Sequence, residues 1–301
     1  MSRKSLNLAV VTDGRPGNRV QAEGLAQAIA RLQAADMRIH DVDVNPFWQT
    51  LSLRLTGRGL GTAPDADIVI GAGRRGNLIA AQARRAGAKA IAILNPAVPL
   101  RWFDLVITPE HDGLRGDNVL TALGSMNTMS QQRIAEAAQG FTPLPAPALT
   151  ILIGGPSKSA DFNVQELIAD ITPFAGAGYH LFATPSRRTP DAAIDMLRAS
   201  FPRMVIWDGA APNPYPGWLH LAQAIMVTRD SVNMLSEAAA TGIPLYVSGT
   251  GRVAEKFTRF HATLQARGIT RPASNGPDHW EYTPLHEADR IAPVVLERLG
   301  L

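Results

Sequence analysis

The sequence predicts an α/β protein built from two Rossmann-like domains with a cleft between them. Short apolar strands that end in glycine-bearing turns recur along the 301 residues, and each turn leads into a helical stretch. This order of strand, loop and helix begins at Leu6 and begins again at Thr150, with a proline-rich stretch between the two halves. Strands that alternate with helices are typical of parallel sheets covered on both faces.

The composition is that of an ordinary globular protein, with 46% hydrophobic and 18% charged residues. The 29 basic and 26 acidic residues give a net charge of +3, and the absence of a long basic run disfavours nucleic-acid binding. Cysteine is absent, which excludes disulfides, thiolate metal ligands and cysteine nucleophiles. The abundance of Arg and Ala favours a bacterial source.

The expected location is the cytoplasm, because the apolar run 6–11 is too short for a signal peptide and no stretch reaches the ~18 apolar residues of a membrane span. One stretch leaves peripheral contact with the inner face of the membrane open. Residues 46–60 can form an amphipathic helix with Phe47, Trp48, Leu51, Leu53 and Leu55 as its apolar residues. Such periodicity is mostly a sign of core packing, and packing in the core or at a domain edge is the favoured interpretation.

Two glycine loops characterise the predicted first domain, residues 1–142. Strand 6–12 ends in the turn Asp13-Gly-Arg-Pro-Gly-Asn18, and a helix follows over about 19–33, with Asn18 and Gln21 spaced as a capping box. Strand 67–71 leads into the loop 72–77. Backbone N–H groups in such loops can surround an anion, although a tight turn explains the glycines equally well. The ligand candidates are Gly14, Arg15, Gly17, Asn18, Gly73 and Arg74.

Closely spaced prolines in Phe141-Thr-Pro-Leu-Pro-Ala-Pro147 exclude regular structure and predict the domain linker. The second domain is therefore expected over 149–284. The last predicted helix, in 285–301, leaves open a return to the first domain.

The stretch from Met226 to Val247 reads as strand, turn, helix, tight turn and strand. Asp230 or Ser231 can cap the helix, and Gly242 with Pro244 ends it. Ser231, Asn233 and Glu237 therefore gather at the carboxyl end of a strand, where open α/β sheets bind ligands. Solvated cap and helix residues are the alternative interpretation.

Further loops of the second domain carry groups suited to a nucleotide diphosphate. Gly154 and Gly155 let the backbone approach a pyrophosphate, and Arg187 and Arg188 follow another strand and can neutralise its charge. The Glu237 carboxylate can accept hydrogen bonds from ribose hydroxyls. The nucleotide- or phosphate-binding candidates are Gly154, Gly155, Ser157, Lys158, Arg187, Arg188, Ser231, Asn233 and Glu237.

Several motifs carry a resemblance to a known family. They are Val-Thr-Asp-Gly-Arg-Pro-Gly-Asn18, Ile-Gly-Ala-Gly-Arg74, Leu-Asn-Pro96, Ile-Gly-Gly-Pro156, Ser-Arg-Arg-Thr-Pro190 and the segment 228–244. Together they resemble the Elm family, named for a plant mitochondrial fission factor, over nearly the whole chain. More distantly, the layout resembles GT-B glycosyltransferases that transfer N-acetylglucosamine onto a lipid-linked cell-wall precursor.

The GT-B resemblance implies residue roles. The first-domain loops would face the acceptor, Gly154 and Gly155 would approach the diphosphate, and Glu237 would bind ribose. Asn18 stands where those enzymes carry a His, and an amide cannot take a proton. Asp13, Glu110, His111 and Asp112 remain as candidates for a catalytic base.

The implied function is transfer of a sugar from a nucleotide-sugar, expected to be a UDP-sugar, to an unknown acceptor that belongs to the cell envelope or is lipid-linked. No cofactor or metal is expected, because the transfer would rest on positioning and on stabilisation of the leaving diphosphate by helix N-termini and arginines. Two alternatives stay open: a UDP-sugar 2-epimerase, and a non-catalytic scaffold that recruits a partner protein. A dehydrogenase is disfavoured because no G-x-G-x-x-G follows either first strand.

Overall fold

The computed structural model describes residues 5–210 and 213–301. The chain forms two compact units, one from Met1–Thr128 with His286–Leu301 and the other from Met129–Leu285. Each unit contains a six-stranded sheet whose neighbouring strands all run parallel, with helices packed against it. The predicted α/β class with two Rossmann-like domains is confirmed.

The sheet of the first unit has the strand order β2-β1-β3-β4-β5-β6. Its strands are β1 (Leu6–Thr12), β2 (Ala35–Asp41), β3 (Ile68–Ala72), β4 (Lys89–Ile93), β5 (Leu105–Pro109) and β6 (Val119–Ala122). Its first three helices are α1 (Pro16–Leu32), α2 (Pro46–Leu55) and α3 (Gly73–Arg85). The inner strands are mainly apolar, as expected of a sheet whose two faces are both covered by buried clusters.

The sheet of the second unit has the order β12-β11-β10-β7-β8-β9. Its strands are β7 (Ala148–Ile153), β8 (His180–Pro185), β9 (Val205–Ile206), β10 (Ala224–Thr228), β11 (Leu245–Ser248) and β12 (Thr270–Pro272). Its helices are α4 (Gln131–Ala138), α5 (Val164–Gly176), α6 (Asp191–Ser200), α7 (Tyr215–Leu221), α8 (Val232–Ala239) and α9 (Glu255–Ala266). Helix α7 begins within the proline- and glycine-rich segment 208–217.

The chain then returns to the first unit as α10 (Glu287–Leu299). The buried face of α10 includes Ile291 and Val295 and joins the cluster that also contains Leu25 and Ile29 of α1. The buried Glu287 carboxylate accepts the Leu123 N–H at 2.7 Å and pairs with Arg290 at 2.6 Å. This carboxylate therefore fastens the last helix to the end of β6.

The unit boundary lies at Thr128 and Met129, upstream of the expected boundary at 142 and of the proline-rich linker. Helix α4 belongs to the second unit because its buried Ile134 packs with Met129 and with Ala240, which follows α8. Closely spaced prolines indicate irregular backbone, but they do not show where a unit ends. The packing of α4 assigns the segment before the prolines to the second unit.

The start of α1 differs from the predicted capping box. Pro16 is the first helical residue and Arg15 occupies the cap position, so Asn18 lies within the first turn. The Asn18 amide donates to Asp13 Oδ1 at 3.0 Å, and Gln21 Nε2 donates to the Gly17 carbonyl at 3.0 Å. The capping-box prediction is wrong because proline, with its fixed φ and missing N–H, starts the helix three residues earlier.

Helix α2 turns much of its apolar surface outward. Asn45 caps the helix by accepting the N–H groups of Phe47 and Trp48 at 3.0 and 3.3 Å. Leu53 is buried, but Phe47, Trp48 and Leu55 are 63%, 56% and 75% exposed. Packing in the core or at a domain edge therefore holds for Leu53 but not for these three side chains, because a helix lying on a domain surface buries only one of its faces.

The close packing of α3 against β1 yields a stability prediction. A Cβ on Gly76 would lie 2.2 Å from the Val11 carbonyl oxygen, which is backbone and cannot swing away. We expect Gly76→Ala to lower the free energy of unfolding by about 1–3 kcal/mol. Gly176→Ala is the matched control, since no atom lies within 4 Å of a Cβ there. Urea unfolding followed by circular dichroism measures both variants, and equal midpoints would contradict the prediction.

Candidate functional site

The strand order reverses between β1 and β3 in the first unit and between β7 and β10 in the second. At such a point the loops leave the two strands in opposite directions and open a crevice at the carboxyl edge of the sheet. Most of the candidate residues follow these four strands, whereas Glu110–Asp112 follow β5, and Arg187 and Arg188 follow β8.

In the first unit, the structure brings together Asp13, Asn18 and Gly73. The mostly buried Asp13 carboxylate accepts the Asn18 amide at 3.0 Å and the Arg15 N–H at 3.3 Å. A Cβ on Gly73 would lie 2.5 Å from Asn18 Nδ2 and 2.9 Å from Asp13 Oδ2. Glycine at the end of β3 therefore leaves the space in which this carboxylate and amide meet.

The other acceptor-side candidates lie around this pair. Gly14 is left-handed, with φ of +74°, and its N–H donates to Thr12 Oγ1 at 3.1 Å. Arg15 and Arg74 are exposed, and Gly17 gives its carbonyl to Gln21. The edge thus combines one oriented carboxylate with two solvent-accessible cations.

Glu110 and His111 are not brought beside Asp13. They form a short 3-10 turn directly after β5, where Glu110 is exposed and His111 is buried, with its Nε2 3.9 Å from Asp112 Oδ1. β5 lies three strand positions from β1, about 14 Å at the usual strand spacing. The four candidates for a catalytic base therefore do not form one cluster within the unit.

In the second unit, a buried carboxylate lies inside the glycine loop. The Asp230 side chain is 1% exposed and accepts the Gly155 N–H at 3.1 Å. The Thr228 hydroxyl donates to Asp230 Oδ1 at 2.6 Å and itself accepts the Gly154 N–H at 2.8 Å. Arg188 completes the set, with its guanidinium 2.7 Å from Asp230 Oδ2. We call Gly154, Gly155, Thr228 and Arg188 the cradle.

The cradle glycines make room for the protein's own groups. A Cβ on Gly154 would lie 2.2 Å from both carboxylate oxygens of Asp230, and one on Gly155 would lie 2.2 Å from the Arg188 carbonyl oxygen. Arg188 also donates to the Gly155 carbonyl at 2.9 Å. The sequence predicted close approach at these glycines, but the approaching groups in the structure are the Asp230 side chain and the Arg188 backbone of the same unit.

The sequence left open whether Asp230 or Ser231 caps α8, and the structure gives the two residues different roles. Ser231 caps α8 by accepting the Met234 N–H at 3.3 Å, which frees Asp230 to turn into the cradle. Sequence reasoning missed this role of Asp230. A signal was available in the sequence. Two residues that can cap a helix follow β10 in succession, and a helix needs only one of them, so the other was free for a different role.

The remaining phosphate candidates are scattered. Ser157 and Lys158 are exposed, and the Ser157 hydroxyl accepts the Ser159 N–H at 3.1 Å. Arg187 lines a surface pocket towards β9 together with Asp191 and Asp208. Only Arg188 of the two neighbouring arginines therefore joins the cradle.

Glu237 lies one to two turns into α8, and Asn233 lies in the first turn and is half-buried. The Tyr215 hydroxyl of α7 donates to Glu237 Oε2. Burial raises the pKa of the Glu237 carboxyl to about 7, against the opposing effects of the Tyr215 hydrogen bond and the Arg133 charge. The carboxylate predicted to bind ribose therefore already has a phenol partner, which the sequence did not reveal.

Carboxylates of α5 hold the loop after β11 beside the cradle. Asp170 accepts the Ser248 hydroxyl at 2.8 Å and the Gly249 N–H at 2.9 Å. Glu166 accepts the Thr250 N–H at 2.5 Å, and this hydrogen bond lowers the pKa of the Glu166 carboxyl. The small cavity among Glu166, Arg229 and Asp230 measures about 20 Å³, enough for one water.

Within 5–210 and 213–301, no group of three or more His, Cys, Asp or Glu side chains is arranged to hold a metal ion. Across the same residues, every helix is too short or too polar to cross a bilayer.

Glu237 gives stability a pH dependence. Its carboxyl has a pKa of about 7 in the folded protein against an ordinary 4.5, so the folded state binds the proton more tightly. The contribution of Glu237 to the free energy of unfolding is therefore largest below pH 4.5. It is lost as the pH rises to about 7, and it does not change further at higher pH. The loss is at most about 3 kcal/mol.

Glu237→Gln keeps an acceptor for Tyr215 and should remove this loss. We expect its free energy of unfolding to exceed that of the wild type more at pH 8 than at pH 5, as measured by urea unfolding. Glu136→Gln, at an exposed position on α4, serves as the control. A difference between Glu237→Gln and the wild type that does not change with pH would contradict the assignment.

Comparison with known proteins gives the family. The model of the family described as Mitochondrial fission ELM1 matches residues 16–299. A curated relative, the Mitochondrial fission protein ELM1 of Arabidopsis thaliana, is 29% identical over 77% of this chain. The alignment spans 64% of the plant protein, which is less than two thirds of its length.

Solved structures share the fold at low identity. The UDP-GlcNAc 2-epimerase of Neisseria meningitidis bound to UDP-GlcNAc has a TM-score of 0.55 at 10% identity, covering 98% of this chain and 100% of its own. A glycosyltransferase of Rickettsia africae has a TM-score of 0.53 at 8% identity, covering 99% of both chains. These likenesses confirm the GT-B fold, and the match to the family model confirms the Elm resemblance. The chain belongs to the Mitochondrial fission ELM1 family.

Proposed function

We propose that this protein is a GT-B glycosyltransferase whose second unit binds a nucleotide-sugar, with a UDP-sugar as the donor. The observation that carries the proposal lies beside the cradle, where the exposed Arg188 guanidinium and the N-terminus of α8 adjoin the point at which the order of the second sheet reverses. Anionic ligands bind at such points in parallel α/β sheets. The Neisseria neighbour, which was solved with UDP-GlcNAc, supports the choice of donor.

On the donor side, three groups would contact the ligand. The N-terminus of α8 beside Ser231 offers backbone N–H groups and a favourable dipole to a phosphate. The Arg188 side chain is 43% exposed, so its guanidinium can meet a phosphate while it remains paired with Asp230. The second oxygen of Glu237 remains to accept a ribose hydroxyl. The nucleotide-sugar acts as substrate, and the proposal needs no further cofactor.

On the acceptor side, Asp13 is the proposed general base. Its carboxylate lies at the reversal point of the first sheet and is oriented by Asn18, whereas Glu110 and His111 follow β5, which lies beyond β4. A carboxylate held by an amide can take a proton from an acceptor hydroxyl, which Asn18 itself cannot. Catalysis would rest mainly on positioning and on stabilising the leaving diphosphate. The acceptor belongs to the cell envelope or is lipid-linked in this proposal.

Two other functions each have an observation in their favour. A UDP-sugar 2-epimerase is supported by the solved epimerases of the same fold. A non-catalytic scaffold is supported by the internal partners of Asp230 and Glu237, since both groups are already satisfied without a ligand. The fission role named for the plant relative would be a function of this second kind.

Calorimetric titration with UDP, GDP, ADP, CMP and their sugar conjugates tests the proposal. We expect a UDP-sugar to bind, and Glu237→Ala to weaken it by at least about tenfold because a ribose acceptor is lost. Glu136→Ala on α4 should leave the affinity unchanged. Absence of binding to every nucleotide would overturn the proposal and favour a scaffold, while epimerised sugar without transfer would identify an epimerase.

We further propose that α2 contacts an anionic membrane surface. Phe47, Trp48 and Leu55 form one exposed stripe, and the exposed Arg54 and Arg58 flank it. The nearby Asp43 carboxylate is paired with Arg75 at 2.6 Å, so its charge opposes lipid headgroups less. Aromatic and leucine side chains beside arginines are typical of helices that lie in the interface of a bilayer.

Sedimentation with vesicles tests this contact. We expect the protein to bind vesicles of phosphatidylcholine with phosphatidylglycerol more than vesicles of phosphatidylcholine alone, and the Phe47→Ser, Trp48→Ser double variant to lose the binding. Leu32→Ser, which removes an exposed leucine from α1, is the control and should bind normally. Equal binding by the double variant and the wild type would refute the contact.

A further inference from the structure

We propose that Asp230 is an internal anion that occupies an oxyanion site in the second unit. The site would take phosphate, pyrophosphate or sulfate groups if the side chain were removed. The inference deepens the proposed function by assigning a residue that limits how tightly a diphosphate binds. The site itself does not depend on a nucleotide.

The donors around Asp230 converge as they would around a phosphate. The Gly155 N–H and Arg188 guanidinium reach Oδ2 at 3.1 and 2.7 Å, and the Thr228 hydroxyl reaches Oδ1 at 2.6 Å. A backbone N–H, a hydroxyl and a guanidinium are the groups with which proteins hold oxyanions. The carboxylate thus takes the hydrogen bonds that a glycine loop at a strand end offers to a ligand.

The Asp230 carboxylate fills the space inside the cradle and places a negative charge there. The oxygens of Asp230 lie 2.2 Å from where a Cβ of Gly154 would stand, so no phosphate can enter beside them. A buried negative charge also repels a second anion at short range, and the low local dielectric strengthens this repulsion. A diphosphate bound to the wild type must therefore lie outside the cradle, against the exposed side of Arg188 and the start of α8.

Removing the side chain should open the site. In Asp230→Ala the Gly155 N–H, the Thr228 hydroxyl and Arg188 lose their shared acceptor, and buried polar groups without partners cost free energy. An oxyanion that fills the vacated space would satisfy all three. Binding of the anion should then restore part of the stability that the substitution removes.

The experiment titrates inorganic pyrophosphate into the wild type, Asp230→Ala, Asp230→Ser and the Asp230→Ala, Arg188→Ala double variant. Calorimetry and thermal unfolding are read at constant ionic strength. We expect Asp230→Ala to bind pyrophosphate at least about tenfold more tightly than the wild type and to gain melting temperature as the site saturates. The double variant should lose most of this gain, because the cation is gone.

Two further variants make the result decisive. Asp195→Ala, which removes an exposed carboxylate from α6, should leave pyrophosphate affinity unchanged and controls for net charge. Asp230→Ser leaves a small hydroxyl for the Gly155 N–H, so the test proceeds with Ser if the alanine variant does not fold. Both substitutions open the cradle, and the serine variant should gain affinity in the same direction.

The inference is overturned if a folded Asp230 variant binds pyrophosphate no better than the wild type, or if Asp195→Ala gains as much. Titration of UDP-sugars into the wild type separates this outcome from failure of the proposed function. Pyrophosphate binding gained by Asp230→Ala in a protein that binds no nucleotide would sustain the oxyanion site and reject the transferase.

Discussion

Close approach at the carboxyl ends of parallel strands is the constraint on which both units depend. Helix α3 can lie against β1 because Gly76 presents no side chain to the Val11 carbonyl, and this contact sets the loop after β3 beside the loop after β1. The same condition recurs at Gly154, where the vacant Cβ position admits the Asp230 carboxylate. A larger residue at either position would separate the loops on which the candidate sites are built.

The candidate groups are already paired within their own units. Asp13 accepts a hydrogen bond from Asn18, and Glu237 accepts one from Tyr215. Asp230 forms an ion pair with Arg188. Such pairs orient the groups before a ligand arrives, which reduces the conformational entropy lost on binding. They also mean that a ligand gains only the difference between its own hydrogen bonds and those that it replaces. The affinity for a ligand is therefore limited by the strength of the internal hydrogen bonds and ion pairs that the ligand has to replace.

The family and the fold constrain function to different degrees. The GT-B fold hosts transferases and epimerases, and the plant relative is named for a role in organelle fission. One fold can host unrelated functions, so function has to be argued from the groups at the sheet edges. Those groups favour an anionic ligand, because the exposed Arg188 guanidinium and the N-terminus of α8 lie where the order of the second sheet reverses.

The sequence by itself determined the α/β class and the two repeats of strand, glycine loop and helix, and it narrowed the cap of α8 to Asp230 or Ser231. These features depend on local periodicity and on the backbone preferences of glycine, proline and serine. Tertiary structure alone decided that α4 belongs to the second unit, that α2 exposes Phe47 and Trp48, and that Asp230 fills the cradle. Each of these outcomes depends on contacts between residues that are far apart in the sequence. Local sequence patterns do not reveal which of those residues come within a few ångströms of each other.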